Sequence, residues 1–183
     1  MFSFYSSKLK AALLLGFMTL SLFWVMGDSS AKNLTVDANT SSLPPVEIKH
    51  GSNLVADANE ASEKQVPVLM FFSMKHCAYC IEVEEDYLKP MLRNAAYDNK
   101  VVIRKIKIDG TDSMKDFNGK ERDIEEFSDD YNISMVPTLI LVDSYGNKLV
   151  PPIIGITNAH FYSNDLDRAI EESTQIIRKI AKR

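Results

Sequence analysis

The chain has 183 residues, 45% of them hydrophobic and 25% charged, with a net charge of −4; this is the composition of a globular protein and excludes collagen-like or wholly disordered chains. The acidic balance offers no basic patch, so no nucleic-acid partner is expected. Two cysteines exclude a disulfide-stapled mini-fold and a four-cysteine zinc site, and the cysteine chemistry rests on one C-x-x-C, Cys77-Ala78-Tyr79-Cys80.

Lys8 and Lys10 precede an apolar run over residues 11–27, followed by Asp28-Ser29-Ser30-Ala31. Residues 1–31 therefore read as a signal peptide cleaved after Ala31. The run exceeds a minimal signal core and falls slightly short of the roughly 20 residues of a comfortable span, so an uncleaved membrane tether through residues 11–27 stands beside that reading. Either one places the remainder outside the cytoplasm, in the periplasm or another extracytoplasmic space, because the two lysines hold the amino end inside. Residues 32–50 are polar and small around Leu43-Pro44-Pro45 and read as a linker, which leaves residues 51–183 as one domain.

Within that domain, Leu54, Val55, Ala58 and Ala61 recur at helical spacing over residues 52–65. Pro67 marks the exit, and residues 66–72 are an apolar run suited to a strand buried on both faces. After the cysteines, Ile81, Val83, Tyr87, Leu88, Met91 and Leu92 mark a helix that Pro90 should kink. Residues 101–108 read as a strand, 110–120 as a polar loop and 121–131 as a short acidic helix. The loop lacks the ligand spacing of a calcium site, and no metal is expected. Val136-Pro137-Thr138 opens a strand over residues 139–142, and residues 143–147 supply the turn before a strand over 148–156. Ser163 or Asn164 caps a final helix with a stripe of Leu166, Ala169, Ile170, Ile177 and Ile180.

The order strand, cysteines, helix is a chemical device. It delivers Cys77 to a helix start, where unpaired N–H groups and the positive end of the dipole favour a thiolate. Cys80, three residues on, shares that helix face and can close a disulfide with it. So short a loop makes a poor staple, which points to reversible redox chemistry at a redox-active centre. Half of a metal site, completed by His50, His76, His160 or carboxylates, and a plain structural disulfide are the other readings. His76 stands where a protonated imidazole could stabilise the thiolate or meet a partner, though neighbours along a chain need not meet in space.

The order helix, strand, C-x-x-C helix, strand, helix, hairpin, closing helix resembles the thioredoxin superfamily over roughly residues 51–181. Cys77-Ala78-Tyr79-Cys80-Ile81-Glu82-Val83-Glu84 is similar to exported thioredoxin-like proteins and to the carboxyl-terminal periplasmic domain of the membrane thiol:disulfide interchange reductase, which also places a glutamate four residues after the second cysteine. The resemblance implies an α/β, thioredoxin-like fold with a central mixed β-sheet flanked by helices. It implies a cis peptide before Pro137, with Val136 offering its backbone to a substrate strand, where the residues alone would read as a trans proline opening a strand. Glu84, if it points inward beneath Cys80, would exchange the proton that Cys80 must lose; otherwise it is one more acid on a charged helix.

Three departures separate the chain from ordinary thioredoxins. His76 replaces their tryptophan, Ala78 and Tyr79 replace glycine and proline, and Phe71 fills the slot of their buried aspartate; Lys105 resembles the lysine near that acid. The implied activity is that of an exported thiol:disulfide oxidoreductase that reduces or isomerises disulfides of partner proteins. Cys77, Cys80 and Glu84 would be catalytic, and His76, Val136 and Pro137 would bind substrate. Its partners would be protein thiols and disulfides and a membrane-embedded electron donor, with no cofactor. A non-catalytic binding module or membrane-tethered adaptor using the Pro137 groove is the alternative.

Overall fold

A computed structural model describes residues 45–110 and 112–182. The expected signal or tether, and the linker up to residue 44, lie outside the described residues.

Helix α1 (Leu54–Lys64) starts where the Asn53 side chain accepts a hydrogen bond from Ala56 N–H at 3.3 Å and ends at Gln65 in the left-handed conformation. It leads into strand β1 (Val68–Ser73), all six residues of which are buried. Beside β1 lie β2 (Val102–Lys107), parallel to it, and β5 (Thr138–Val142), antiparallel; β6 (Ile153–Ile154) completes the order β2-β1-β5-β6. This is a mixed sheet with β1 in its interior. The alternation of β1 feeds two cores. Leu69 and Phe71 pack with Leu139, Leu141, Cys80 and Leu166 on one face, and Met70 and Phe72 pack with Leu54, Ile106, Ile140 and Phe127 on the other.

Between the cysteines and β2, helix α2 (Ala78–Glu82) widens into a π-helical turn (Val83–Leu88) and resumes as α3 (Lys89–Arg93). This is the expected Pro90 distortion in a particular form. Pro90 has no N–H to send to Asp86, and Lys89 N–H bonds the Glu84 carbonyl five residues back.

The expected polar loop and the first three residues of the expected acidic helix hold a small hairpin, β3 (Ser113–Lys115) paired with β4 (Glu121–Asp123). Buried Met114 anchors it, and the Asp116 carboxylate accepts the Asn118 and Lys120 N–H groups at 2.9 and 3.0 Å to make its turn. The acidic helix is accordingly shorter than expected, α4 (Ile124–Asp130). The strand expected over 148–156 shrinks to a bridge at Lys148 and the two residues of β6, since Pro151 and Pro152 have no N–H to give a ladder. Helix α5 (Ala159–Ile180) starts earlier than expected, capped by Asn158, whose side chain accepts from His160 N–H at 3.1 Å.

The end of the segment read as linker lies against the sheet. Ile48 is buried, Lys105 N–H donates to the Lys49 carbonyl at 2.9 Å, and Gly51 N–H donates to the Lys105 carbonyl at 3.0 Å. The outer edge of β2 is thereby covered rather than left as a template for aggregation.

Leu139 is fully buried opposite Phe71. Leu139→Ala should lower unfolding stability by about 2–5 kcal/mol through lost transfer energy and a residual cavity. Urea unfolding followed by far-ultraviolet circular dichroism measures it.

Candidate active site

Strand β1 ends at Ser73, and exposed residues 74–76 link it to α2. His76 has φ +61°, a left-handed conformation uncommon outside glycine. Cys77 then takes an extended conformation as the N-cap of α2, with its sulfur accepting Cys80 N–H at 3.1 Å and its carbonyl accepting Ile81 N–H at 3.1 Å. The two cysteines form a disulfide with Cα atoms 5.2 Å apart. Their exposure differs: Cys77 is half-buried, whereas Cys80 is 3% exposed within the core that holds Phe71, Val83 and Leu88.

The slot where thioredoxins resemble one another in carrying an acid is apolar here, Phe71 being fully buried. Lys105 lies opposite Phe71 in the β1–β2 register, and its ammonium is 6.0 Å from the Phe71 ring centroid. That ammonium is ion-paired with Glu84. Glu84 is also 3.7 Å from the Lys89 ammonium, and its own side chain is 17% exposed. An acid–lysine pair therefore sits on the cysteine side of the sheet, but the acid arrives from the helix, one turn after Cys80. Lys89 is also held by Glu85 at 2.5 Å; first that hydrogen bond, then the charges of both glutamates, keep its ammonium above the usual lysine range despite partial burial.

On the other side of β1, the Val136-Pro137 peptide is cis. Because Phe72 pairs with Thr138 antiparallel, Pro137 and Val136 run past the end of β1 toward the cysteine loop. The segment is tied at both ends. Thr138 Oγ1 donates to the Met135 carbonyl at 2.8 Å, and Gly155 N–H donates to the Pro137 carbonyl at 2.8 Å. Val136 and Cys77 pack against the same core. Exposed Met74 and Met135 on the connecting segments, Tyr79 in α2 and Ile154 in β6 supply apolar surface.

The structure thus brings Cys77, Cys80, Val136 and Pro137 to one end of the sheet, with Glu84 directed to Lys105 on the helix-facing side. His76 is exposed, and its position is distinguished by its backbone. Sequence reasoning missed Asp109. Its carboxylate accepts the Lys75 N–H at 2.7 Å and so holds the loop that precedes Cys77. The available signal was its place two residues after the end of a strand parallel to β1, followed by Gly110.

Residues 54–170 match the family described as thioredoxin-like domain. No curated protein matches the chain. Similar solved structures include a poplar thioredoxin h, at 19% identity over 62% of this chain and 85% of that chain with a TM-score of 0.44. They also include mitochondrial thioredoxin 3 from Saccharomyces cerevisiae in its oxidised form, at 19% identity over 68% of this chain and 94% of that chain with a TM-score of 0.43. A third is the DsbH oxidoreductase, at 17% identity over 69% of this chain and 86% of that chain with a TM-score of 0.45. With the family match spanning most of the described domain and a close cysteine pair at the head of α2, the chain belongs to the thioredoxin-like domain family.

Proposed function

We propose that the protein is an extracytoplasmic thiol:disulfide oxidoreductase that reduces or isomerises disulfides of partner proteins. The observation that carries this reading is the unequal burial of a joined cysteine pair, with Cys77 at the helix start and Cys80 in the core.

In the reduced protein the Cys77 thiolate attacks one sulfur of a partner disulfide. A Cys77–partner S–S bond forms, the partner's own S–S bond breaks, and its other sulfur leaves as a thiolate. Cys80, losing its proton, then attacks the Cys77 sulfur. The intramolecular disulfide forms, the mixed disulfide breaks, and the partner departs reduced by two electrons. Backbone groups of Val136, beside Pro137, would hold the partner segment in strand-like fashion, and the exposed apolar residues nearby suit an unfolded or extended segment. His76 would line the same approach.

Glu84 is the acceptor we assign to the Cys80 proton. Its place one turn after Cys80 and its pairing with Lys105 support that role. Lys105 would hold the carboxylate in place one helical turn from the buried thiol.

The basic start and apolar run of residues 8–27 support export, with cleavage or tethering as its two forms. A reductant outside the cytoplasm needs electrons brought across the membrane, so a membrane-embedded donor belongs to the proposal.

Cys80→Ser should accumulate mixed disulfides through Cys77, whereas Cys77→Ser should accumulate few, as read by non-reducing electrophoresis after acid quenching. Equal accumulation in both variants would refute the assigned order of attack. Glu84→Gln should slow release of a mixed disulfide roughly tenfold or more, while leaving its formation close to wild type, since general acid–base groups contribute about 10²–10⁴-fold. Stopped-flow kinetics with a fluorescent disulfide peptide separates the two steps, and unchanged release would reduce Glu84 to a surface acid.

A further inference from the structure

We infer that Asp109 is the positioning residue of the dithiol: its carboxylate supplies an extra rung beyond the β1–β2 ladder and thereby sets the turn that places Cys77 at the head of α2. The inference deepens the redox reading above and rests on it.

The parallel ladder of β1 and β2 runs in register from Val68↔Val102 to Ser73↔Lys107. One further main-chain bond follows, from Ile108 N–H to the Ser73 carbonyl at 3.0 Å. Bonds in a parallel pair are evenly spaced, so regular continuation would send Lys75 N–H to the Ile108 carbonyl. It goes instead to Asp109 Oδ2 at 2.7 Å. A side-chain acceptor reaches past the ladder's end and captures the departing strand in place of the main-chain carbonyl.

The consequence lies in the next two residues. His76 turns to φ +61°, and Cys77 returns to φ −92° and ψ 106° to cap α2. A left-handed conformation costs free energy in a residue with a Cβ and persists where contacts on both sides impose it. On one side stands the Lys75–Asp109 bond. On the other, Cys80 and Ile81 N–H donate to the Cys77 sulfur and carbonyl. His76 has only these two fixed ends to span. Releasing the Asp109 end lets the turn relax, and the Cys77 sulfur then spends less time against the N–H groups that favour its thiolate. Asp109 touches no reacting sulfur and acts through the loop alone.

The test compares full-length wild type, Asp109→Asn, Asp109→Ala and Asp109→Ser after reduction with dithiothreitol and its removal. The rate of Cys77 attack on the small aromatic disulfide dithionitrobenzoate is followed by absorbance, alongside thermal unfolding. Asparagine keeps an acceptor oxygen at the same reach; alanine removes it, and the serine hydroxyl is too short to replace it. The inference expects Asp109→Ala and Asp109→Ser to react roughly tenfold slower than wild type, the scale of one lost hydrogen bond, with Asp109→Asn within about twofold. Wild-type rates in the alanine and serine variants overturn it. So does an asparagine variant as slow as alanine, because charge rather than the acceptor would then be responsible. A wild-type protein that leaves the probe intact refutes the redox reading and this inference together, whereas a reactive wild type matched by Asp109→Ala refutes this inference alone.

Discussion

Strand β1 has no face to give to water. Each of its six residues is buried, with a core on either side and a strand on either edge, and this constraint places the cysteines. A strand held so firmly can end in a short, tightly turned loop without the loop dictating its own geometry. The turn at His76, the extended Cys77 and the head of α2 follow from where β1 stops and from what catches the chain just after it. The cost of leaving the sheet falls on three exposed residues rather than on the core.

The apolar character of that strand also decides where proton chemistry can reside. Phe71 is fully buried and cannot take a proton. The ionisable pair is instead assembled across elements, with Lys105 on β2 and Glu84 on the π-helical turn. A π turn suits the purpose, because the extra residue it admits changes which side chains face the sheet. Two lysines around one glutamate, with Glu85 closing the group, make a compact charge network at the rim of an otherwise apolar core.

Much of this was legible in the sequence because it depends on strong local signals. The unbroken apolar run of β1, the cysteine spacing, Pro137 at the head of a second apolar run, and the long stripe of α5 each have a physical cause visible over a few residues. What escaped notice depends on contacts between distant residues. The β3–β4 hairpin has strands of three residues, too short for alternation to stand out, and it is held by buried Met114 and the Asp116 turn. Asn158 and Asn164 are equally good caps by residue type, and the helix begins at the first, with Tyr162 buried near its start. Asp109 matters through Lys75, 34 positions away, a relation that exists only once β1 and β2 lie parallel.

The central claim is that this dithiol favours giving electrons over taking them. Ala78 and Tyr79 bring no charge between the cysteines, and the helix dipole adds up to about 2 kcal/mol toward the thiolate, far less than a strong oxidant uses. The reduction potential of Cys77/Cys80, measured by equilibration of the purified protein with glutathione or dithiothreitol couples, tests this directly. The account predicts a value near that of thioredoxin, about −270 mV, and a value near about −120 mV, the level of a strong disulfide donor, would contradict it.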